Sequence, residues 1–197
     1  MYNKKLTLSN GVEIPQLGLG TWFIDDDKVA DAAKAAADLG YRHFDTAQAY
    51  GNERGVGEGI RTCGIPREEL FVVSKVAAEH KTYEDAKASI DKTLSDMGLD
   101  YLDMMIIHSP QPWVEVNQSD DRYVEGNRAA WKALEEAYKE GKLKAIGVSN
   151  FQIGDIESLL ETCEIKPMVN QILLHISNTP LELVEYCQKK GIAVEAY

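Results

Sequence analysis

Lys75 lies near the end of the apolar run Phe71-Val72-Val73-Ser74. An ammonium is expensive to bury without a partner, and Asp45, which ends the run His43-Phe44, is its natural counter-charge. Tyr50 follows in the next segment, and His108 closes the run Met104-Met105-Ile106-Ile107. Ser149 and Asn150 close Ile146-Gly147-Val148, Asn170 and Gln171 interrupt Met168-Val169, and Tyr197 closes Ala193-Val194-Glu195-Ala196. A paired ammonium and carboxylate beside a phenol and an imidazole could move a proton, if the fold brings them together. Taken singly, each has a plainer reading. Asp45 could cap a turn, Tyr50 could pack as an aromatic, and Ser149-Asn150 could cap the following helix. His108 alone reads equally as ligand, catalyst or core residue.

The runs that carry these residues are apolar with little alternation, as in strands covered on both faces of a parallel sheet. They span residues 17–21, 43–46, 70–76, 104–109, 145–149, 168–173 and 192–197. Helical patterns lie between them. Residues 27–39 are alanine-rich and stop at Gly40; 82–97 open with Thr-x-x-Asp and stop at Gly98; 124–140 stop at Gly141. Thr179 is the expected N-cap of a helix over 180–190, with Pro180 in its first turn and Gly191 after its end. A helix over about 153–163 is weakened by Gly154. Ahead of the repeat, Leu6-Thr7-Leu8 and Val12-Glu13-Ile14 flank Asn10-Gly11, a hairpin signal. The polar stretch 111–123 reads as a surface loop with a functional role.

Strand and helix in alternation imply parallel strands joined by right-handed crossovers. Seven such strands suggest a (β/α)8 barrel in one domain over residues 1–197, preceded by a hairpin and lacking its eighth strand. A doubly wound sheet is the alternative. In a barrel the C-terminal strand ends share one face, which would gather the residues named above.

The chain has 197 residues and a net charge of −11, which disfavours nucleic acid and anionic membrane surfaces as partners. No apolar run approaches the roughly 20 residues of a spanning helix, and no secretory signal is visible. Cys63, Cys163 and Cys187 form neither a disulfide framework nor a zinc pattern, so a reducing cytoplasm is expected. The sequon at Asn117 carries no weight without a secretion signal. His43, His80 and His175 lack metal-ligand spacing, so no metal is expected. Gly18-Leu19-Gly20 and the glycines at 55, 57 and 59 do not fit G-x-G-x-x-G, which argues against a Rossmann site.

Seven segments in order resemble the aldo-keto reductase family: LGLGTW (17–22), FDTAQAYGNE (44–53), VVSKV (72–76), MMIIHSP (104–110), AIGVSNF (145–151), VNQILLH (169–175) and AVEAY (193–197). HSPQPW resembles the bacterial branch, associated with small carbonyl substrates such as keto sugars, diketogluconate and methylglyoxal. The resemblance implies a barrel that uses NADPH to reduce small aldehydes or ketones. It implies a tetrad of Asp45, Tyr50, Lys75 and His108, with Tyr50 as the general acid and Lys75 lowering its pKa. Asp45 would keep Lys75 charged, and His108 would orient the carbonyl. Ser149, Asn150 and Gln171 would hold the nicotinamide carboxamide, and Tyr197 would stack beneath its ring. Gly20, Thr21 and Asp45 would lie along the cofactor. Trp22 and Trp113 would wall the substrate pocket together with Tyr50 and His108. Ser109 stands where many mammalian members have Trp. The residues that select NADPH over NADH are expected to lie beyond Tyr197. The protein is expected to be a monomer or weak oligomer. Competing expectations are a silent cofactor-binding or structural module, an inactive fragment, and a metal-dependent hydrolase using His43, Asp45 and His108.

Overall fold

The computed structural model describes residues 4–116 and 118–197, so Asn117 lies outside the described residues. The hairpin forms from β1 (Lys5–Thr7) and β2 (Glu13–Pro15), antiparallel with Leu6 opposite Ile14. Its loop closes through Leu8 N–H to Val12 O at 2.8 Å, and Gly11 supplies the left-handed residue at φ 88°. Asn10 donates to the carbonyl of Lys144 at 2.9 Å, which fastens the hairpin to the rest of the molecule.

The main sheet has seven parallel strands in sequence order: β3 (Gly18–Gly20), β4 (His43–Asp45), β5 (Phe71–Val76), β6 (Met104–Ile107), β7 (Ile146–Ser149), β8 (Val169–Ile172) and β9 (Ala193–Ala196). Between them run α1 (Asp26–Asp38), α2 (Glu53–Thr62), α3 (Tyr83–Met97), α4 (Val124–Lys139), α5 (Ile153–Leu160) and α6 (Leu181–Lys190). None of the described helices is long and apolar enough to cross a membrane.

The strand order never reverses, which excludes the doubly wound alternative. The sheet also curls. In a flat sheet, β4 and β8 would stand about 19 Å apart at ordinary strand spacing. Instead Gln171 on β8 donates to Asp45 on β4 at 2.9 Å, and His43 on β4 approaches Glu195 on β9 at 3.6 Å. The architecture is an incomplete (β/α)8 barrel with seven strands.

Two helix ends differ from their sequence signals. Pro180, not Thr179, occupies the cap position of α6, which begins at Leu181. The α5 cap is Gln152, whose N–H donates to Asp155 at 2.8 Å, so Ser149-Asn150 is not the helix cap. Gly154 does not prevent that helix, which ends at Leu160 rather than near 163.

The largest departure is α2, whose glycine-rich segment carries no helical signal. Packing explains it. A Cβ at Gly55 would lie 2.1 Å from the Asp26 carbonyl oxygen at the start of α1. One at Gly57 would lie 2.1 Å from the Met97 carbonyl oxygen at the end of α3, and one at Gly59 would lie 2.7 Å from Ala33 Cβ. The three glycines let α2 sit between its neighbours at a separation no other residue permits, and that packing overrides their poor helix propensity.

Candidate active site

The two-residue period of a strand puts His43 and Asp45 on the inside of the curl and Phe44 against the helices. On β5 the same period sends Lys75 inward and Ser74 outward, where its hydroxyl donates to Glu53 of α2 at 2.5 Å. Lys75 is only 1% exposed. Its ammonium pairs with Asp45 and donates to the Thr46 carbonyl at 2.9 Å and the Tyr50 hydroxyl at 3.3 Å. Asp45 accepts from Gln171 with its second oxygen, so the ion pair is held from both sides of the curl.

Tyr50 lies on a single 3-10 turn (Gln48–Tyr50) that Gly51 ends in the left-handed conformation. Gln48 fixes the turn. Its amide nitrogen donates to the Ser89 carbonyl at 3.1 Å and Thr93 at 3.0 Å, while its oxygen accepts the Ala77 N–H at 2.8 Å. Burial raises the Tyr50 phenol above its ordinary value; Lys75 pulls the other way and does not prevail. Lys75 thus acts in the expected lowering direction, and burial is the larger opposing effect. For Lys75, burial opposes the charge, but Asp45 and Tyr50 outweigh it and hold the ammonium above the ordinary lysine value.

His108 is buried after β6, edge-on to Tyr50 at 5.6 Å and to Trp113 at 4.8 Å between ring centroids. Burial, reinforced by the charge of Lys75, lowers its pKa to about 3. The imidazole is neutral across the physiological range. The unfolded chain therefore binds more protons at this position than the folded one between about pH 6.5 and 3. Stability contributed by the neutral form is present above that window and lost as pH falls through it. His108→Gln should flatten this part of the acid limb in urea unfolding measured from pH 7 to 4. An unchanged limb would remove His108 as its source.

Trp22, Tyr50, His108 and Trp113 border one cavity of about 460 Å³, together with Gly20, Thr21, Asp45, Ser149, Asn150, Gln171 and Tyr197. Of the residues expected to act on the substrate or to hold the cofactor, Lys75 alone stays beneath that surface; Asn170 is also buried away from it and donates to the Phe151 carbonyl at 3.0 Å. Ser149 donates to the Gln171 carbonyl at 2.9 Å. Asn150, left-handed at φ 62°, donates to the His108 carbonyl at 3.0 Å and accepts the Tyr197 hydroxyl at 2.7 Å. Thr21 donates to the Asp45 carbonyl at 3.0 Å. Among the described residues, no group of three or more His, Cys, Asp or Glu side chains could hold a metal ion.

Several supporting residues escaped sequence reasoning. Asn52, 1% exposed, accepts from Thr46 at 2.7 Å and donates to the Thr21 and Ile24 carbonyls, each at 2.9 Å. It closes the turn that presents Trp22. In the 111–123 loop, Gln111 donates to the Ser119 and Asp121 carbonyls, each at 2.8 Å, and accepts from Arg122, which is paired with Asp155. Trp113 N–H donates to Glu79 at 3.2 Å. The only available signal was that Gln48 and Asn52 lie inside the 44–53 segment.

The cavity offers hydroxyl and amide groups at the strand ends, exposed aromatic faces at Trp22 and Tyr197, and open space where Gly20 would carry a Cβ. That donor set suits a flat ring bearing a neutral carboxamide, and so fits a nicotinamide.

The model of the aldo/keto reductase family matches residues 16–197. The chain is 48% identical over 199 residues to the oxidoreductase YtbE of Bacillus subtilis (strain 168), covering 98% of this chain and 66% of that protein. It is 46% identical over 191 residues to the glyoxal reductase of the same organism, covering 96% of this chain and 65% of the relative. It thus spans slightly less than two thirds of these relatives' length. Among solved structures, the aldo-keto reductase of Bombyx mori in complex with NADP superposes with a TM-score of 0.87 at 32% identity, covering 100% of this chain and 66% of that one.

Proposed function

The chain belongs to the aldo/keto reductase family, and from that premise we propose that it reduces small aldehydes or ketones to alcohols with NADPH, using Tyr50 as general acid. One observation carries the reading: the Tyr50 hydroxyl lies 3.3 Å from the ammonium of Lys75 and borders the cavity.

When bound, NADPH supplies the hydride. The proton is the chain's part. A phenol above its ordinary pKa stays protonated at neutral pH and so is loaded to donate. Giving up that proton leaves a phenolate, and the adjacent Lys75 ammonium stabilises the charge as it develops. Asp45 keeps Lys75 charged and aimed. Neutral His108 offers a hydrogen bond that orients the carbonyl and does not compete as a proton source near pH 7. Ser149, Asn150 and Gln171 would hold the carboxamide of the cofactor. Tyr197 would stack on its ring, with Gly20, Thr21 and Asp45 alongside. Trp22 and Trp113 would wall the substrate.

The test is a fluorescence titration with NADPH followed by glyoxal- or glyceraldehyde-dependent loss of its absorbance. The relatives named glyoxal reductase and, in Hypocrea jecorina, D/L-glyceraldehyde reductase motivate those substrates. Binding with aldehyde-dependent oxidation supports the proposal. Saturable binding without oxidation would favour a silent cofactor-binding module.

A further inference from the structure

Glu53 is the first residue of α2 and is buried although it carries a carboxylate. Its two oxygens face different elements. Oε1 accepts the Ser74 hydroxyl of β5 at 2.5 Å, and Oε2 accepts the Thr93 hydroxyl of α3 at 3.3 Å. Ser74 and Thr93 are buried as well. Two charged residues of α3 act on this carboxylate, Lys92 and Asp96; they do so with opposite signs and are paired with each other. Burial dominates and pushes the Glu53 carboxyl above its ordinary value.

Such a group is a poor choice for stability alone. An apolar side chain of similar size, wedged between one strand and two helices, would pack there without the desolvation penalty of a carboxylate. The first turn of α2 offers a favourable dipole, which offsets part of that penalty. What a carboxylate does and an apolar side chain cannot is hold two hydroxyl groups at a fixed separation.

Those hydroxyls lead to the two halves of the proton-donating pair. Ser74 immediately precedes Lys75, and the period of the strand turns Ser74 to the helices while Lys75 faces inward. Thr93 also accepts the Gln48 amide at 3.0 Å, and Gln48 opens the 3-10 turn that carries Tyr50. Glu53 itself follows that turn, three residues beyond Tyr50. The 3.3 Å contact between Tyr50 and Lys75 is thus spanned from behind by one side chain, with an arm on each element.

We propose that Glu53 is a positioning residue for the proton donor: from outside the barrel wall it fixes the Tyr50 hydroxyl against the Lys75 ammonium, through Ser74 on one arm and through Thr93 and Gln48 on the other. The inference rests on the reduction proposed above. It places the sensitivity in the chemical step rather than in the binding of aldehyde or cofactor.

The test uses two substitutions that keep side-chain volume. Glu53→Gln removes the charge and one acceptor, and Thr93→Val removes the hydroxyl. Each should lower kcat for glyoxal reduction about tenfold or more, as expected when a reacting group is slightly misplaced. The aldehyde KM and the NADPH Kd should stay within about twofold of the parent protein, the pattern of an interaction felt mainly in the transition state. Thr93→Ser, which restores the hydroxyl, should recover most of the lost rate. Urea unfolding shows which variants are folded, and either arm suffices if the other variant is not. In a Tyr50→Phe background, read in single turnovers with enzyme in excess, Thr93→Val should cost little more, because the hydroxyl it helps to place is gone.

An unchanged kcat, a loss carried by KM or by NADPH affinity, no recovery in Thr93→Ser, or an equal loss in the Tyr50→Phe background would each overturn the positioning role and leave carbonyl reduction standing. Full turnover by Tyr50→Phe alone, or no aldehyde reduction by the parent protein, would overturn the underlying reading instead.

Discussion

Tyr50→Phe should bind NADPH with nearly unchanged affinity and lose about 10²- to 10⁴-fold in kcat for aldehyde reduction, the usual scale for removing a positioned proton donor. The two effects separate because the hydroxyl touches little besides Lys75. The ammonium keeps Asp45 and the Thr46 carbonyl when the hydroxyl goes, so the fold loses one hydrogen bond at the edge of a cavity. The ring itself, with its contacts to Trp22 and His108, remains. Steady-state kinetics beside a fluorescence titration checks both halves. Turnover within a few-fold of the parent protein would take the proton-donor role away from Tyr50.

Lys75→Met should damage stability as well as rate. Its Nζ is held within a buried ion pair, and removing one partner of such a pair typically costs about 3–5 kcal/mol, because the other is left uncompensated. Asp45 would retain the Gln171 amide and lose its counter-charge. The double variant Lys75→Met/Asp45→Asn should recover most of that loss and none of the activity, since neither stranded charge nor stabilising ammonium remains. Urea unfolding at pH 7 and aldehyde turnover, measured on the same three proteins, distinguish the two roles. A single variant as stable as the parent would mean that water, rather than Lys75, compensates Asp45.

Much of this arrangement is legible in the sequence because burial is costly for particular groups. A lysine in Phe71-Val72-Val73-Ser74-Lys75 needs a counter-charge, and Asp45 is where a parallel barrel would put one. The strand rhythm is equally legible, since seven apolar runs separated by helical patterns leave few topologies. Curl is not. Apolar parallel strands look alike in a flat sheet and a barrel, and the Asp45–Gln171 hydrogen bond decides between them. Helix α2 is hidden for a different reason. Gly55, Gly57 and Gly59 advertise a loop by propensity, while their role is to admit Asp26, Met97 and Ala33 at close range.

Within the site, Gln48 and Asn52 are silent because an amide in a loop has no period to betray it. Yet they fix the turns that present Tyr50 and Trp22. The sign of the Tyr50 shift is hidden for want of depth. A lysine neighbour is readable from motif order, whereas the extent of burial that outweighs it belongs to the folded molecule.

The Asp45–Gln171 hydrogen bond joins positions separated by 126 residues. In kinetic terms it closes a very large loop, whose entropic cost falls due before the contact returns anything. Local helices and adjacent strand pairs require far shorter closures. The cavity is thus expected to form late in folding. A chain with its helices formed and neighbouring strands in register, but still uncurled, would already hold every residue named here and have no cavity for them to line.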